Sequence, residues 1–358
     1  MAVSTIDPNG LNVGQLGGFK NRIINGAMVF DQRRSGAAYT PSGVAYALDR
    51  WNTYMPTGSG HSIQRVTDAP AGFSYSQKIT IGTGASPAAS AQNAIWQAIE
   101  GNNVYDLSFG TASAKTITVS FVVKSSVTGT FNIALVNKTG TRAYVGTYTI
   151  NSANTWETKA ITVEGDTTGS WSTDNTIGLT LWFSLGFGSD YETTPNTWVS
   201  GDLKSASSTV DLVATSGATW QITGVQLEVG DVATPFEHED YGTTLQKCQR
   251  YYWRQTRTNN GNTINAYIGI GQGVGTTEVV SFVRHPVQMR DSPTFSASGS
   301  SHIAAHGSSN LTQTGYLGGN LGIDTVAISA TGSGGVNGGC YRVFIFGDGN
   351  YFQLDAEL

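Results

Sequence analysis

The feature that most constrains the fold is a series of short β-type runs, each bounded by turn residues. The clearest spans 116–124 and reads T-I-T-V-S-F-V-V-K, with Ile117, Val119, Phe121 and Val123 on one face. Such alternation predicts a half-buried strand, because successive side chains of a strand point to opposite sides. Further strands are predicted at 76–81, 129–136, 143–150, 157–163, 178–185 and 210–214. Crossover helices are not evident between them, so we expect an all-β domain built as an antiparallel β-sandwich.

The chain from about residue 255 onward is also rich in glycine and in β-type runs. Its strands are predicted at 267–270, 278–283, 326–329 and 341–346. Between them, 296–319 has the composition of a loop. A stretch that open needs support in a folded domain, and packing against neighbouring copies would supply it. We therefore expect a second, smaller β-rich domain.

Composition narrows the class of protein. The 358 residues suit two domains. Charged residues make up 13% of the chain, about half the share of roughly 25% that is usual in soluble proteins. The formal net charge is −5, and no run of lysine or arginine occurs, so the basic surface needed for nucleic-acid binding is not predicted. The polar but weakly charged surface suits extended β-structure and fits a metabolic enzyme poorly.

The cysteines and the N-terminus bear on redox chemistry and location. Cys248 and Cys340 are the only cysteines and lie far apart, which excludes a C-x-x-C zinc or redox motif and leaves a single disulfide as an alternative. Residues 1–18 contain neither the basic nor the apolar region of a secretory signal. The sequence contains no apolar stretch of the roughly 20 residues that a membrane span needs. We expect synthesis and assembly in a cytoplasm, without membrane insertion.

Several short motifs of this sequence resemble those of a jelly-roll module that recurs in bacteriophage tail fibres and other virion proteins. They are I-I-N-G-A-M-V-F-D-Q-R at 23–33, L-D-R-W at 48–51, G-V-Q-L-E-V-G-D-V-A-T-P-F-E at 224–237, C-Q-R-Y-Y at 248–252 and P-V-Q-M-R-D-S-P-T at 286–294. The resemblance spans about residues 20–295. It is more specific in the first module than near the end of the chain.

The resemblance implies a domain order. An N-terminal anchor or tether at 1–18 would precede a galactose-binding-like, carbohydrate-binding-module-like jelly roll at 19–240. A short helical connector at 241–254 would lead to a C-terminal β-rich tip domain at 255–358.

The resemblance also implies a role on the virion. We expect a non-enzymatic tail-fibre or receptor-binding protein that attaches through its N-terminus to other tail or baseplate proteins and recognises a host cell-surface glycan. Fibres of this kind are usually threefold, so a homotrimer is expected, with Tyr251, Tyr252 and Trp253 at the subunit interface. A head fibre, a baseplate or tail decoration, and a polysaccharide depolymerase remain as alternatives.

Catalytic and metal-binding residues are not apparent. A depolymerase would need two carboxylates across a sugar-binding cleft, but Glu237, Glu239 and Asp240 lie in a linker where solvated side chains are the ordinary explanation. No cofactor is expected. A structural Ca²⁺ remains an alternative, since sandwiches of this type often hold one, and the candidate ligands are the loop residues Asp166, Asp174 and Asp190.

Two surfaces are candidates for glycan binding. In 179–185 the period of two places Trp182 on the polar face, and Tyr191 and Trp198 follow in the adjacent loop. The second candidate is the tip, where His302, His306 and Tyr316 lie in Ser- and Gly-rich sequence. We favour the tip, because it lies farthest from the anchor and its loops tolerate sequence change at the least cost in stability.

Overall fold

The computed structural model describes residues 19–257, 266–299, 303–307, 312–319 and 321–358. These residues divide into two units, the first ending at Asp240 and the second beginning at Tyr241. Both units are built from antiparallel sheets, so the predicted all-β class is confirmed. Within the described ranges, every helix is too short or too polar to cross a membrane.

The first unit is a sandwich of two sheets. In spatial order, the larger sheet contains β1 (Ala45–Leu48), β2 (Trp51–Tyr54), β5 (Gln92–Glu100), β10 (Ile177–Phe187), β7 (Gly129–Asn137), β8 (Arg142–Ile150) and β11 (Trp198–Ser200). The smaller sheet contains β3 (Ser62–Val66), β4 (Ser76–Thr80), β12 (Thr219–Val229), β6 (Ile117–Ser125) and β9 (Glu157–Val163). Short 3-10 helices occupy Gly101–Asn103, Tyr105–Leu107, Ser189–Tyr191 and Leu212–Ala214. From β4 to β12 the chain repeatedly crosses between the sheets, which is the connectivity of a jelly roll.

The core of the sandwich is aromatic at its centre. Phe183 lies edge-on to Phe121, with ring centroids 5.1 Å apart, and near Trp51 and Trp220 at 6.2 and 5.8 Å. All four rings are at most 1% exposed. On β10 the predicted alternation holds, because Leu179, Leu181, Phe183 and Leu185 are fully buried between the sheets.

The beginning and the end of the sandwich are joined by a clasp, formed by residues 20–26 and 224–237. The side-chain amide of Asn21 donates from Nδ2 to the carbonyl of Val225 at 3.1 Å, and its Oδ1 accepts from the backbone N–H of Leu227 at 3.1 Å. The backbone N–H of Asn21 donates to Glu237 Oε2 at 2.7 Å, and Lys20 Nζ donates to the carbonyl of Pro235 at 2.7 Å. The residues just before the 23–33 motif are therefore bonded directly to the 224–237 motif.

Backbone contacts tighten the clasp further. The N–H of Val225 donates to the carbonyl of Gly26 at 3.0 Å. A Cβ atom placed on Gly26 would lie 2.1 Å from the Val225 carbonyl oxygen, so only glycine fits at this close approach. Gln97 of β5 holds the same segment, because its side chain accepts from the N–H of Ile24 at 2.8 Å and donates to the carbonyl of Ile24 at 2.9 Å.

The second unit begins with helix α1 (Tyr241–Gln249) and contains two sheets. The three-stranded sheet contains β13 (Tyr252–Thr256), β21 (Tyr351–Asp355) and β16 (Thr294–Ala297). In the described residues, the larger sheet contains β17 (Ile303–Gly307), β20 (Cys340–Ile345), β14 (Ala266–Gly273), β15 (Glu278–Arg284), β19 (Thr325–Ser333) and β18 (Thr312–Gly319). Residues 252–254, expected in the connector, are already part of a strand. Within 296–319, which has the composition of a loop, the described residues 303–307 and 312–319 form strands that pair along their backbones with β20 and β19.

The tyrosines that were expected at a subunit interface are core residues. Tyr251 and Tyr252 are fully buried within the single chain, so they have no surface to offer a neighbouring copy. Tyr252 lies opposite Asp355 in the pairing of β13 with β21, and its hydroxyl donates to Gln353 Oε1 at 2.6 Å. Trp253 is half-buried and meets Phe352 edge-on at 5.4 Å.

The two cysteines have different surroundings. Cys248 is buried in α1, whereas Cys340 is exposed at the start of β20, and the two do not form a disulfide.

Candidate functional site

The outer face of the seven-stranded sheet carries an open groove with a volume of about 420 Å³. Its floor is formed by the central strands β5 and β10. The polar and aromatic side chains along it belong to Gln92, Trp96, Asn137, Lys138, Thr139, Thr180, Trp182, Asp202 and Lys204. Because Ile95 and Ile99 point into the core, Trp96 points outward, and the register of the two strands sets it directly opposite Trp182.

The two tryptophans form a stacked pair above the sheet. Their ring centroids are 4.2 Å apart and their planes differ by 15°. Ala94 and Ala98 lie on either side of Trp96 along β5, so the neighbouring positions on this face add little height. The indole N–H of Trp182 donates to Thr180 Oγ1 at 2.8 Å, which fixes the orientation of that ring.

A buried ammonium group completes the stack. Lys204 Nζ lies 4.8 Å from the ring centre of Trp182 and 5.3 Å from that of Tyr191. It also pairs with Asp202 Oδ2 at 2.5 Å, and its side chain is only 4% exposed. Burial lowers the pKa of Lys204 below its usual value, while the hydrogen bond and charge of Asp202 oppose that effect. The loop is held because Asn132 Nδ2 donates to the Lys204 carbonyl at 2.8 Å.

This geometry decides which ring can receive a ligand. The Trp182 ring is contacted both by the stacked ring of Trp96 at 4.2 Å and by the ammonium of Lys204 at 4.8 Å, which leaves little room for a further ring on it. Trp96 is half-buried, so part of its ring remains accessible to a ligand. Trp182 lies on the outer face of its strand, as its sequence pattern predicts, whereas Trp96 and Lys204 were not among the predicted site residues. Applied to 94–99, the same period of two would have found Trp96.

The other residues predicted for the sandwich surface separate into two places. Tyr191 lies beside Lys204 in the groove region, and its hydroxyl accepts from Gln92 Nε2 at 2.6 Å. Trp198 is not part of this group. Its ring packs edge-to-face on Phe109 and Trp171, at 5.8 and 5.5 Å, and its indole N–H donates to the carbonyl of Glu164.

Of the predicted tip residues, the structure describes the side chain of His306 alone. His302 and the side chain of Tyr316 lie outside the described residues. The backbone of Tyr316 belongs to β18 and pairs with Ala330. His306 is half-buried, and its ring meets Phe344 edge-on at 4.9 Å.

Of the three loop carboxylates considered for Ca²⁺, those of Asp166 and Asp174 accept hydrogen bonds within the protein. Asp166 accepts two hydrogen bonds from the Arg142 guanidinium, at 2.7 and 2.9 Å. Burial alone would raise the pKa of Asp166, but the bonds from Arg142 and Thr168 hold it below its usual value. Asp174 accepts from Thr176, and Asp190 lies in a 3-10 helix. Within the described ranges, groups of three or more His, Cys, Asp or Glu side chains placed to hold a metal ion do not occur.

Comparison with known proteins gives likenesses of fold. No protein-family model and no curated protein matches this sequence. The bacteriophage CBA120 tailspike protein 4 enzymatically active domain is 14% identical, with a TM-score of 0.31, over 59% of this chain and 21% of that chain. This chain thus spans about a fifth of that tailspike domain.

Two carbohydrate-binding modules from Clostridium thermocellum are also similar in fold. The family 11 module, solved with a mixed-linked β-1,3-1,4 tetrasaccharide, is 13% identical, with a TM-score of 0.27, over 57% of this chain and 99% of that one. The C-terminal family 22 module of Xyn10B is 14% identical, with a TM-score of 0.29, over 58% and 98%.

Proposed function

We propose that this chain is a non-enzymatic virion protein of the tail-fibre type whose first unit binds a host-surface glycan in the groove on its seven-stranded sheet. The observation that carries the proposal is the raised Trp96–Trp182 pair, set in an open groove with amide, hydroxyl and charged groups. Aromatic faces stack on the C–H groups of sugars, while a few placed polar groups fix orientation. The sequence resemblance to virion fibre proteins supports the place on the virion.

The chemistry of the groove favours binding without cleavage. The accessible part of the Trp96 ring would stack on a sugar ring, and the amide of Gln92 and the ammonium of Lys138 would bond its hydroxyl groups. A glycosidase needs two carboxyl groups about 5–9.5 Å apart across the scissile bond. Asp202 is the acidic residue among those that line the groove, and it is paired with Lys204. A shallow site of this kind binds weakly, and several copies on one particle would add avidity.

Replacing Trp96 by alanine tests this function. On an array of bacterial surface polysaccharides, we expect the change to weaken the binding seen for the unaltered protein about 30-fold, the effect of removing a central aromatic anchor worth about 2 kcal/mol. Trp156→Ala is the matched control, because Trp156 is also half-buried beside a lysine but faces away from the groove, near Lys124 of the five-stranded sheet.

If the Trp156 variant binds polysaccharide as poorly as the Trp96 variant, or if the Trp96 variant binds it normally, the glycan does not bind at Trp96. Thermal unfolding of each variant checks that it is folded. The bound polysaccharide should show no new reducing ends, and their appearance would move the protein to the depolymerase alternative.

We further propose a homotrimer, with residues 1–18 attaching it to tail or baseplate proteins. An exposed apolar face on the six-stranded sheet supports association between copies, since Tyr267, Ile270 and Phe282 are 51%, 74% and 71% exposed. Mass measurement in solution should give three times the 37.8 kDa of the chain. A stable monomer at micromolar concentration would contradict this arrangement.

A further inference from the structure

A second concavity opens at one end of the sandwich, away from the floor of the groove. It is a pocket of about 20 Å³ whose apolar walls are Val104, Leu107, Phe109, Trp171 and Leu179. Leu107 and Leu179 are at most 1% exposed and belong to the core. Tyr105 lines the same pocket and is 64% exposed, so its ring is accessible at the mouth of the pocket.

The walls of the pocket are held by packing between two loops. After β5 the chain makes two 3-10 helices, and the N–H of Gly101 donates to the carbonyl of Thr176 at 2.8 Å. A Cβ atom on Gly101 would lie 2.3 Å from the Ser172 carbonyl oxygen, so the loops touch directly. Trp171 meets Phe109 edge-on at 5.0 Å, and its indole N–H donates to the carbonyl of Thr168. The pocket is thus formed before any ligand arrives.

Size and lining decide what the pocket can take. A volume of about 20 Å³ accommodates one group the size of a water molecule or a methyl group. A buried water needs two to four polar partners, and the deep walls here are hydrocarbon. A methyl group needs no polar partners and therefore fits these walls. Ser172 and Thr173 line the pocket as well, and residues of this type can form hydrogen bonds with a polar group joined to that methyl.

We propose that this pocket is a separate subsite for the acetamido group of an N-acetylated sugar. The acetyl methyl would fill the hollow between Leu107 and Leu179, its amide would bond Ser172 and Thr173, and the sugar ring would lie on the exposed face of Tyr105. The ligand class rests on the proposed glycan-binding function, but the site does not include the groove. One loop borders both, since Asn137 Nδ2 in the groove donates to the carbonyl of Ser170 at 3.0 Å.

The test is saturation-transfer NMR on the full chain with N-acetylglucosamine, N-propionylglucosamine and glucose as probes. We expect the strongest saturation on the acetyl methyl protons. Glucose, which has no such methyl, and the propionyl sugar, which has one carbon too many, should each bind at least about 10-fold more weakly, as for a misfit of one methylene in an apolar pocket. Equal binding of glucose and N-acetylglucosamine, or no binding of the latter, overturns the proposal.

Variants locate the binding. Val104→Ile adds a methyl group to the pocket, and Tyr105→Ala removes the exposed ring without disturbing the core. Each change should weaken the binding of N-acetylglucosamine at least about 10-fold. Tyr241→Ala, at a similarly exposed tyrosine of the second unit, should bind normally. Trp96→Ala should also bind this sugar normally, even if it no longer binds polysaccharide in the groove. If Trp96→Ala loses binding of N-acetylglucosamine while Tyr105→Ala retains it, the acetyl group binds in the groove. That result would overturn the separate subsite but not the proposed glycan-binding function.

Discussion

Replacing Gly26 by alanine is expected to lower the free energy of unfolding of the first unit by about 3 kcal/mol, the upper range for forcing extra volume into a well-packed site. The added Cβ would lie 2.1 Å from the Val225 carbonyl oxygen and 3.4 Å from the ring of Phe236. The segment that contains Gly26 cannot move away from β12 to make room without losing the hydrogen bond from the Val225 N–H to the Gly26 carbonyl.

Urea denaturation measures this change, and Gly43→Ala is the matched control. A Cβ atom on Gly43 meets nothing within 4 Å, so its free energy of unfolding should change by less than about 0.5 kcal/mol. Similar losses in the two variants would show that the close approach at Gly26 is not what limits stability.

Truncation should produce the largest effect in the molecule. Removing residues 1–24 is expected to lower the melting temperature of the first unit by more than about 10 °C, since each kcal/mol corresponds to roughly 2–4 °C in a unit of this size. The cut removes Asn21 and Ile24 from the clasp, and it leaves the buried amide of Gln97 without either of its partners. Each unsatisfied buried group costs about 1–3 kcal/mol.

Removal of residues 1–18 alone is the comparison. Those residues have no apolar pattern able to build a core, so the melting temperature should stay within about 2 °C while attachment to particles is lost. Calorimetry on the two truncated chains measures both melting temperatures. A large drop on removing 1–18 would show that this segment is part of the fold.

Local patterning was a good guide wherever one face of a strand meets the core. The alternation in β10 correctly placed Leu179, Leu181 and Phe183 inside and Trp182 outside. Gln97 breaks that rule, because a buried glutamine on the inner face is tolerated only through its bonds to Ile24, far away in sequence. The position of Lys204 was equally hidden from a local rule, since it depends on a loop anchored by Asn132 of β7.

Composition was a poorer guide than pattern. The stretch 296–319 is rich in glycine, serine and threonine, yet β17 and the neighbouring strands form there because pairing depends on the backbone and not on bulky side chains. Tyr251 and Tyr252 were misassigned for the converse reason. A run of aromatic residues after a short helix was interpreted as surface for other subunits, whereas the final strand of the chain covers it.

The clasp also determines where the chain enters and leaves the sandwich. Asn21 and Glu237 are separated by 216 positions in sequence, yet their bonded atoms are 2.7 Å apart. The whole jelly roll is therefore a closed loop of chain that departs from and returns to a single point. The backbone therefore enters this unit at residue 21 beside the point where it leaves at residue 237, and the clasp holds the two ends of the sandwich together.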